Sequence, residues 1–379
     1  MIQFTFIISF KKHLDIGVFY VIMIHNKLFK GDIMDFKKYS SIENTYREKV
    51  IDEIRIQDID KTDWVVSEKI HGANFSFWMN VEGLRCARRT SFLTNKDNFY
   101  QYQNLTELYS QHLSLLYQMC VMMMEDMKKD KLIDFDSNSI EVVLYGELFG
   151  GSYHHPDVKR DDYAQRVQKG VQYCPWNDFY AFDLSINGSI VHYDIFSELM
   201  ENVGFHYAKA LYRGSFDDCL KCDNSIPTTI PKHLGLPEIE YNIAEGLVLK
   251  PAQYQCFHDG SRVILKNKNE KFKEIQSEKK IKVNAQLTDV EKHFIDLAGK
   301  YITENRLTNV ISHLGEITNK DFGKILGAFC KDINEEVEKE CKDLKEYLQL
   351  EKCNIKAINK VINKNAQPMV KERFLNIIS

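Results

Sequence analysis

The chain reads as an α+β protein, antiparallel sheets with helices in an N-terminal body followed by a small all-helical C-terminal domain. Three observations predict this. From Trp64 to about Lys266, short apolar runs alternate with turn residues, which is the pattern of strands. After Pro251 no proline occurs until Pro368, and the apolar spacing shifts to the helical period. Thr288-Asp-Val-Glu291 is a capping-box sequence opening a helix whose one face carries Val290, Phe294, Leu297 and Tyr301.

In chain order, residues 1–33 hold two apolar runs, Ile2 to Phe10 and Ile16 to Ile24, split by Lys11, Lys12, His13 and Asp15. Each run is shorter than the roughly 20 residues of a membrane span. The basic residues follow the first run, where a signal peptide would have them precede it. This segment is expected to lie outside the functional fold, with Met34 as an alternative start. Phe75 to Met79 and Leu84 to Arg89 bracket Asn80 and Gly83 as a hairpin. Leu105 to Leu132 reads as a helix with Met122 to Met124 as core filler. Ile140 to Tyr145 is a strand ending at Gly146-Glu147, and Phe179 to Leu184 turns through Asn187-Gly188 into Ser189 to Tyr193. Gly246 to Lys250 and Arg262 to Lys266 complete the strands, and a further helix runs from about Asn319 or Lys320 to Leu344. The domains are therefore set at 34–283 and 284–379, joined by a lysine-rich stretch from Lys266 to Lys282.

Bulk properties exclude several classes of function. The chain has 379 residues, 44% hydrophobic and 27% charged, ordinary for a globular protein of two domains. A net charge of -4 gives no global field for a polyanion, so nucleic-acid binding requires a local basic surface. Nine cysteines without regular spacing indicate a reducing compartment. Cys219-Leu-Lys-Cys222 has metal-ligand spacing, but a structural zinc site needs a second pair, and only His233 lies nearby. The chain is expected to be cytoplasmic, monomeric and without a membrane partner.

Chemistry concentrates at strand ends. Lys69 ends one apolar strand in Trp64-Val-Val-Ser-Glu-Lys-Ile-His-Gly-Ala-Asn-Phe-Ser-Phe77, and Gly72 turns the backbone into the next. Lys-x-x-Gly alone carries little, since it also begins at Lys232, Lys320 and Lys324. Only Lys69 is flanked by strands and followed by an ordered series of charged residues: Arg88-Arg89, Glu147, Asp183, Glu245, Lys250, Lys266 and Lys268. A free lysine is neutral in only about one molecule in a few thousand at pH 7, so a nucleophilic lysine needs help from its surroundings. Lys266 and Lys268 share a strand face and suit a triphosphate. Glu147 and Glu245 suit ribose hydroxyls and a water-rich Mg²⁺ site, and Phe182 suits a purine ring. Taken singly, each cation is equally a solvated strand face, Phe182 is equally core, and Asp183 equally caps the Asn187-Gly188 turn.

As a set, these residues resemble the six nucleotidyltransferase motifs of the RNA ligase 2 family, which includes the phage enzyme and the trypanosome RNA-editing ligases. The motifs are Glu68-Lys-Ile-His-Gly-Ala-Asn74, Cys86-Ala-Arg-Arg-Thr90, Tyr145-Gly-Glu147, Asp178-Phe-Tyr-Ala-Phe-Asp183, Glu245-Gly-Leu-Val-Leu-Lys250 and Val263-Ile-Leu-Lys-Asn-Lys268. The resemblance begins at Met34-Asp-Phe-Lys-Lys-Tyr-Ser-Ser-Ile-Glu-Asn44 and runs nearly to the end, including Asn305-Arg306, Asn309-Val-Ile-Ser312, Gly315-Glu-Ile317 and Lys320-Asp-Phe-Gly-Lys324 in the helical domain. It implies an ATP-grasp-like ligase domain with a helical partner, using ATP and Mg²⁺, with Mn²⁺ as a substitute. The implied reaction joins RNA 3'-hydroxyl and 5'-phosphate ends, most naturally at a nick in duplex RNA, through a lysyl-AMP intermediate.

By the same resemblance, Lys69, Lys266, Lys268, Glu245 and Arg89 are catalytic. Glu68, Ile70, Asn74, Arg89, Glu147 and Phe182 hold the nucleotide with Lys69, Glu245, Lys266 and Lys268. Glu245 supports the metal, and Asn74, Arg89 and Arg306 contact RNA. His71 stands where DNA ligases and capping enzymes carry aspartate. An RNA-capping guanylyltransferase and a catalytically inactive RNA-binding protein of the same fold are the competing readings.

Overall fold

The alternating stretch from Trp64 onward folds into two sheets, and charged residues from both line one cleft. A computed structural model of the chain describes residues 5–9, 19–23, 34–130, 140–274, 287–343 and 353–378. It divides into two compact units, Met1–Asn269 and Glu270–Ser379. The division falls ahead of the expected position 283 because residues up to Glu274 bond to the helical unit. Asn305 Nδ2 donates to the carbonyls of Lys271 and Lys273, and Arg306 pairs with Glu274.

The first unit begins with an antiparallel pair, β1 (Thr5–Ser9) and β2 (Phe19–Met23). There follow β3 (Glu43–Asn44), α1 (Glu48–Ile56), β4 (Trp64–Lys69), β5 (Ala73–Asn80), β6 (Gly83–Arg88) and β7 (Ser91–Phe92). Next come α2 (Tyr102–Leu108), α3 (Ser110–Lys129), β8 (Val142–Gly150), β9 (Asn177–Ile186), β10 (Ser189–Ile190) and α4 (Tyr193–Val203). The unit closes with β11 (Ala210–Gly214), α5 (Phe216–Leu220), α6 (Ile230–His233), β12 (Gly246–Pro251) and β13 (Leu265–Lys268). One sheet has the order β10-β9-β8-β5-β6-β7 and the other β11-β4-β12-β13-β3. Both are antiparallel except for the parallel β13–β3 edge.

Period-two alternation gives each sheet an apolar face. Phe75 and Phe77 of β5 meet Phe179 of β9 edge-on at 5.9 and 4.9 Å, over a core closed by Leu113, Leu116 and Met124 of α3 and Phe196 of α4. Trp64, Val66, Leu247 and Leu249 of the second sheet pack on Ile54 and Phe216. The helix expected over Leu105–Leu132 divides into α2 and α3, and of its methionine cluster Met122 is 64% exposed while Met123 and Met124 are buried. Asn187 and Gly188 both take positive φ, 50° and 77°, as a two-residue hairpin turn requires. The following strand stops at Ile190, because Tyr193 already begins α4 with His192 as its N-cap. Cys219 packs in the core of the second sheet and Cys222 is half-buried, both as free thiols.

The second unit contains α7 (Asp289–Lys300), α8 (Glu304–Leu314), α9 (Phe322–Asp343) and α10 (Ile355–Ile378). Thr288 and Glu291 form the reciprocal capping box. Phe294, Leu297 and Tyr301 are buried against Leu307, Phe329, Ile333 and Ile362, whereas Val290 is 40% exposed in the first turn of α7. Among the described residues, no helix is long and apolar enough to cross a membrane.

Candidate active site

Strands β4 and β12 from one sheet, and β8 and β9 from the other, line a cleft of about 450 Å³, a volume that includes the solvent at its mouth. Its walls carry Ser67, Glu68, Lys69 and Ile70 with Glu147, Phe182, Asp183, Val248 and Lys250, closed by Tyr39, Ile42 and Ile264. The antiparallel register places Lys69 opposite Gly246 and Asn74 opposite Glu147. That pairing brings residues distant in sequence to one rim.

Glu245 is the hub. Its carboxylate, 2% exposed, accepts from Lys69 Nζ at 2.8 Å on one oxygen and from Lys268 Nζ at 2.7 Å on the other, with His71 Nδ1 at 3.3 Å. Burial alone would raise its pKa, but Lys268, Lys69 and His71 hold it well below the usual carboxylate range. The backbone brings these groups together through Gly246, whose φ is +152°. A side chain there would strike the Asn267 carbonyl at 2.2 Å.

Glu147 faces the same space and behaves differently. Burial pushes its pKa up to about 7, with Lys69 opposing, Glu245 assisting, and Arg89 and the Gly72 amide opposing. Lys266 lies on β13 two residues from Lys268, on the same strand face.

Phe182 and Asp183 are consecutive, and simple alternation would send them to opposite faces. Both line the cleft because β9 bulges there: Tyr145 pairs with Asp183 and Gly146 with Ala181, leaving Phe182 as the extra residue. Lys250 Nζ fixes the bulge by donating to the Phe182 carbonyl at 2.7 Å and to Asp183 at 2.6 Å. Arg262 donates to the other Asp183 oxygen at 2.8 Å and to the Tyr39 hydroxyl at 2.7 Å, and that hydroxyl donates in turn to Asp183. Burial would raise the Asp183 pKa, yet Arg262 and Lys250 hold it far below normal. Asp183 is therefore the anion of a buried network, beyond any local turn-capping part. Tyr39 and Arg262 belong to this network and were not foreseen. No motif spacing joins residues so far apart; the parallel β3–β13 pairing brings their segments together.

Glu68 is held by three protein donors, which engage both of its carboxylate oxygens. Thr228 Oγ1 donates to one carboxylate oxygen, and the Thr229 amide and hydroxyl donate to the other at 2.8 and 2.7 Å. Burial raises its pKa while these bonds oppose the rise. No strand or motif in the sequence marks Thr228 and Thr229 as partners of Glu68.

Arg306, for which the resemblance implies an RNA contact, is buried in the helical unit. It is 4% exposed, with Nη1 on Asp332 at 2.6 Å, Nη2 3.6 Å from Glu274, and its guanidinium 5.1 Å over Tyr301. Asp332 lies on another helix, invisible to the local pattern that marked Asn305-Arg306. Of the linker lysines, Lys271 and Lys273 are described, while Lys279, Lys280 and Lys282 lie outside the described residues.

A family model described as RNA ligase matches residues 62–268, and one described as T4 RNA ligase 2 C-terminal matches residues 285–368. The chain belongs to the RNA ligase family, in its RNA ligase 2 branch, and is an RNA ligase.

It is 27% identical over 349 residues to RNA-editing ligase 1, mitochondrial, of Trypanosoma brucei brucei, covering 75% of this chain and 71% of that one. RNA-editing ligase 2, mitochondrial, of the same organism is 28% identical over 337 residues, covering 75% and 78%. A Naegleria gruberi RNA ligase mutant solved with AMP and Mn shares 14% identity at a TM-score of 0.37, covering 62% of this chain and 56% of its own. The same ligase with PPi gives 13% and 0.37, covering 66% and 64%.

Proposed function

We propose that the protein is an ATP-dependent RNA ligase that joins a 3'-hydroxyl to a 5'-phosphate, at a nick in duplex RNA, through an adenylylated Lys69. The observation that carries this reading is Lys69 Nζ lining the cleft, 2.8 Å from Glu245, with Lys268 on the other oxygen of the same carboxylate.

In the first step Lys69 Nζ, its proton released to solvent, attacks the α-phosphorus of ATP with its lone pair. The N–P bond forms as the bond to pyrophosphate breaks. A 5'-phosphate oxygen of RNA then attacks the same phosphorus, the N–P bond breaks, and the amine returns. Finally the 3'-hydroxyl oxygen attacks the RNA 5'-phosphorus and AMP leaves with the electron pair. Phe182, thrust out by its bulge, stacks on adenine, and Ile70 and Glu68 flank the base. Glu147 accepts from the ribose, with Asn74 across the strand pair and Arg89 serving ribose, phosphate or the incoming RNA end. Lys266 and Lys268 neutralise the phosphates, the main electrostatic lever in such transfers.

Among the described residues no group of three or more His, Cys, Asp or Glu forms a ready metal cage. Glu245 beside Glu147 still fits a Mg²⁺ or Mn²⁺ ion held mainly by water and phosphate oxygens, which needs only one or two carboxylates. Such an ion, when bound, would offset charge on the leaving pyrophosphate. Arg306 serves RNA joining by bracing the helical unit.

The test is incubation with Mg²⁺ and α-labelled ATP or GTP, followed by a sealing assay on nicked duplex RNA. ATP label on the denatured protein and joined RNA support the reading. GTP label in place of ATP label points to a capping guanylyltransferase, and RNA binding with no label points to an inactive binder. Affinity for nicked duplex should fall with salt as phosphate contacts release counterions.

A further inference from the structure

The connection between β8 and β9, residues 151–176, contains no helix or strand. Ordered loops longer than about 12–15 residues usually carry function. This one is tied down along its length. The Gly151 amide donates to the Trp176 carbonyl at 2.8 Å, and the Ser152 amide to the Cys174 carbonyl at 3.1 Å. Asn242, close before Glu245, accepts from the Gln172 amide at 2.9 Å and donates back to its carbonyl at 2.6 Å.

Two side chains of the loop reach the turn that follows Lys69. The His71 amide donates to the Tyr173 hydroxyl at 2.8 Å, and Gln168 Nε2 donates to the Gly72 carbonyl at 3.1 Å. The turn has little other freedom, since a Cβ at Gly72 would meet the Leu148 carbonyl at 2.3 Å and the Glu147 side chain at 2.7 Å. We infer that Gln168 and Tyr173 are positioning residues for nucleotidyl transfer: they hold the Lys69-Ile70-His71-Gly72 backbone so that the lysine amine and His71 meet Glu245.

The chemistry of Gln168 favours this over a role in folding alone. Its Oε1 is buried with no hydrogen-bond partner among the described residues, which disfavours folding, while its amide nitrogen is spent on the turn. Tyr173 is fully buried and packs edge-on against Phe149, on the strand that carries Glu147. The loop thus meets the nucleophile's turn, the Glu147 strand and the approach to Glu245.

This inference rests on Lys69 being the adenylylated residue. The experiment compares full-length wild type, Gln168→Ala and Tyr173→Phe in single-turnover AMP attachment over a range of ATP concentrations, with far-UV circular dichroism as the folding control. Tyr173→Phe keeps the ring and its packing, so it remains informative if Gln168→Ala fails to fold. The expected result is a plateau rate lowered roughly ten-fold in Tyr173→Phe, and likewise in folded Gln168→Ala, with half-saturating ATP within about two-fold of wild type. A Tyr173→Phe plateau equal to wild type, or a loss confined to ATP affinity, overturns the inference. Wild type that takes no label overturns the proposed function instead.

Discussion

Lys69 and Lys268 share one buried carboxylate, each on its own oxygen of Glu245, at 2.8 and 2.7 Å. The amine proposed as nucleophile is thereby aimed from one strand and the phosphate-binding cation from another. Neither can be displaced without leaving Glu245 charged and partly unpaired.

Glu245→Gln should therefore cost more than a lost hydrogen bond. The amide keeps the shape but removes the anion that orients two ammonium groups. AMP attachment should fall by about 100-fold or more, the range for removing a preorganised charge from a reacting centre. A single-turnover labelling rate checks this. A rate near wild type would show that Glu245 is merely structural.

Asp183→Asn strands Lys250 and Arg262 in the interior. Breaking a buried ion pair from one side costs roughly 3–5 kcal/mol, so the midpoint of urea unfolding should drop sharply. The pH dependence follows from the sign of the shift. The folded pKa of Asp183 is depressed, so its contribution is present above the unfolded carboxylate pKa and is lost only as pH falls through the lower folded value. Acid unfolding of Asp183→Asn should lack that share of the transition.

Glu147 gives the opposite sign. With its folded pKa raised to about 7, its contribution to stability is full below the unfolded pKa and is lost as pH rises through about 7. Activity moves the other way, because only the carboxylate accepts from two ribose hydroxyls. The kcat/KM for AMP attachment in free enzyme should rise with pH through an apparent pKa near 7, and Glu147→Gln should remove that limb. An unchanged profile in the variant would rule out Glu147 as its source.

Arg306→Ala should destabilise the helical unit by about 3 kcal/mol, because Asp332 and Glu274 lose their buried partner. Arg306→Lys should restore little, since one ammonium cannot replace a guanidinium that engages both acids. Thermal unfolding of the three proteins measures this. Equal melting would show that these pairs do not brace the helical unit.

The sequence made the strand ends legible because alternation and turn residues are local signals. Lys69, Glu147, Glu245 and Lys268 were each identified from such an end. The bulge at Phe182 was not visible, since an extra residue in one strand shows only against its partner's register. The Tyr39–Asp183–Arg262 network and the Thr228–Thr229 hold on Glu68 depend on contacts between distant segments. The pairing of Arg306 with Glu274 and Asp332 likewise joins segments that no local pattern connects.

The most direct test of the central claim is peptide mapping after incubation with ATP and Mg²⁺. One adenylyl group is expected on the peptide containing Lys69, released by acid as an N–P bond is, and absent from Lys69→Ala. An adduct mapped to another residue, or none on a folded protein given metal and nucleotide, would contradict it.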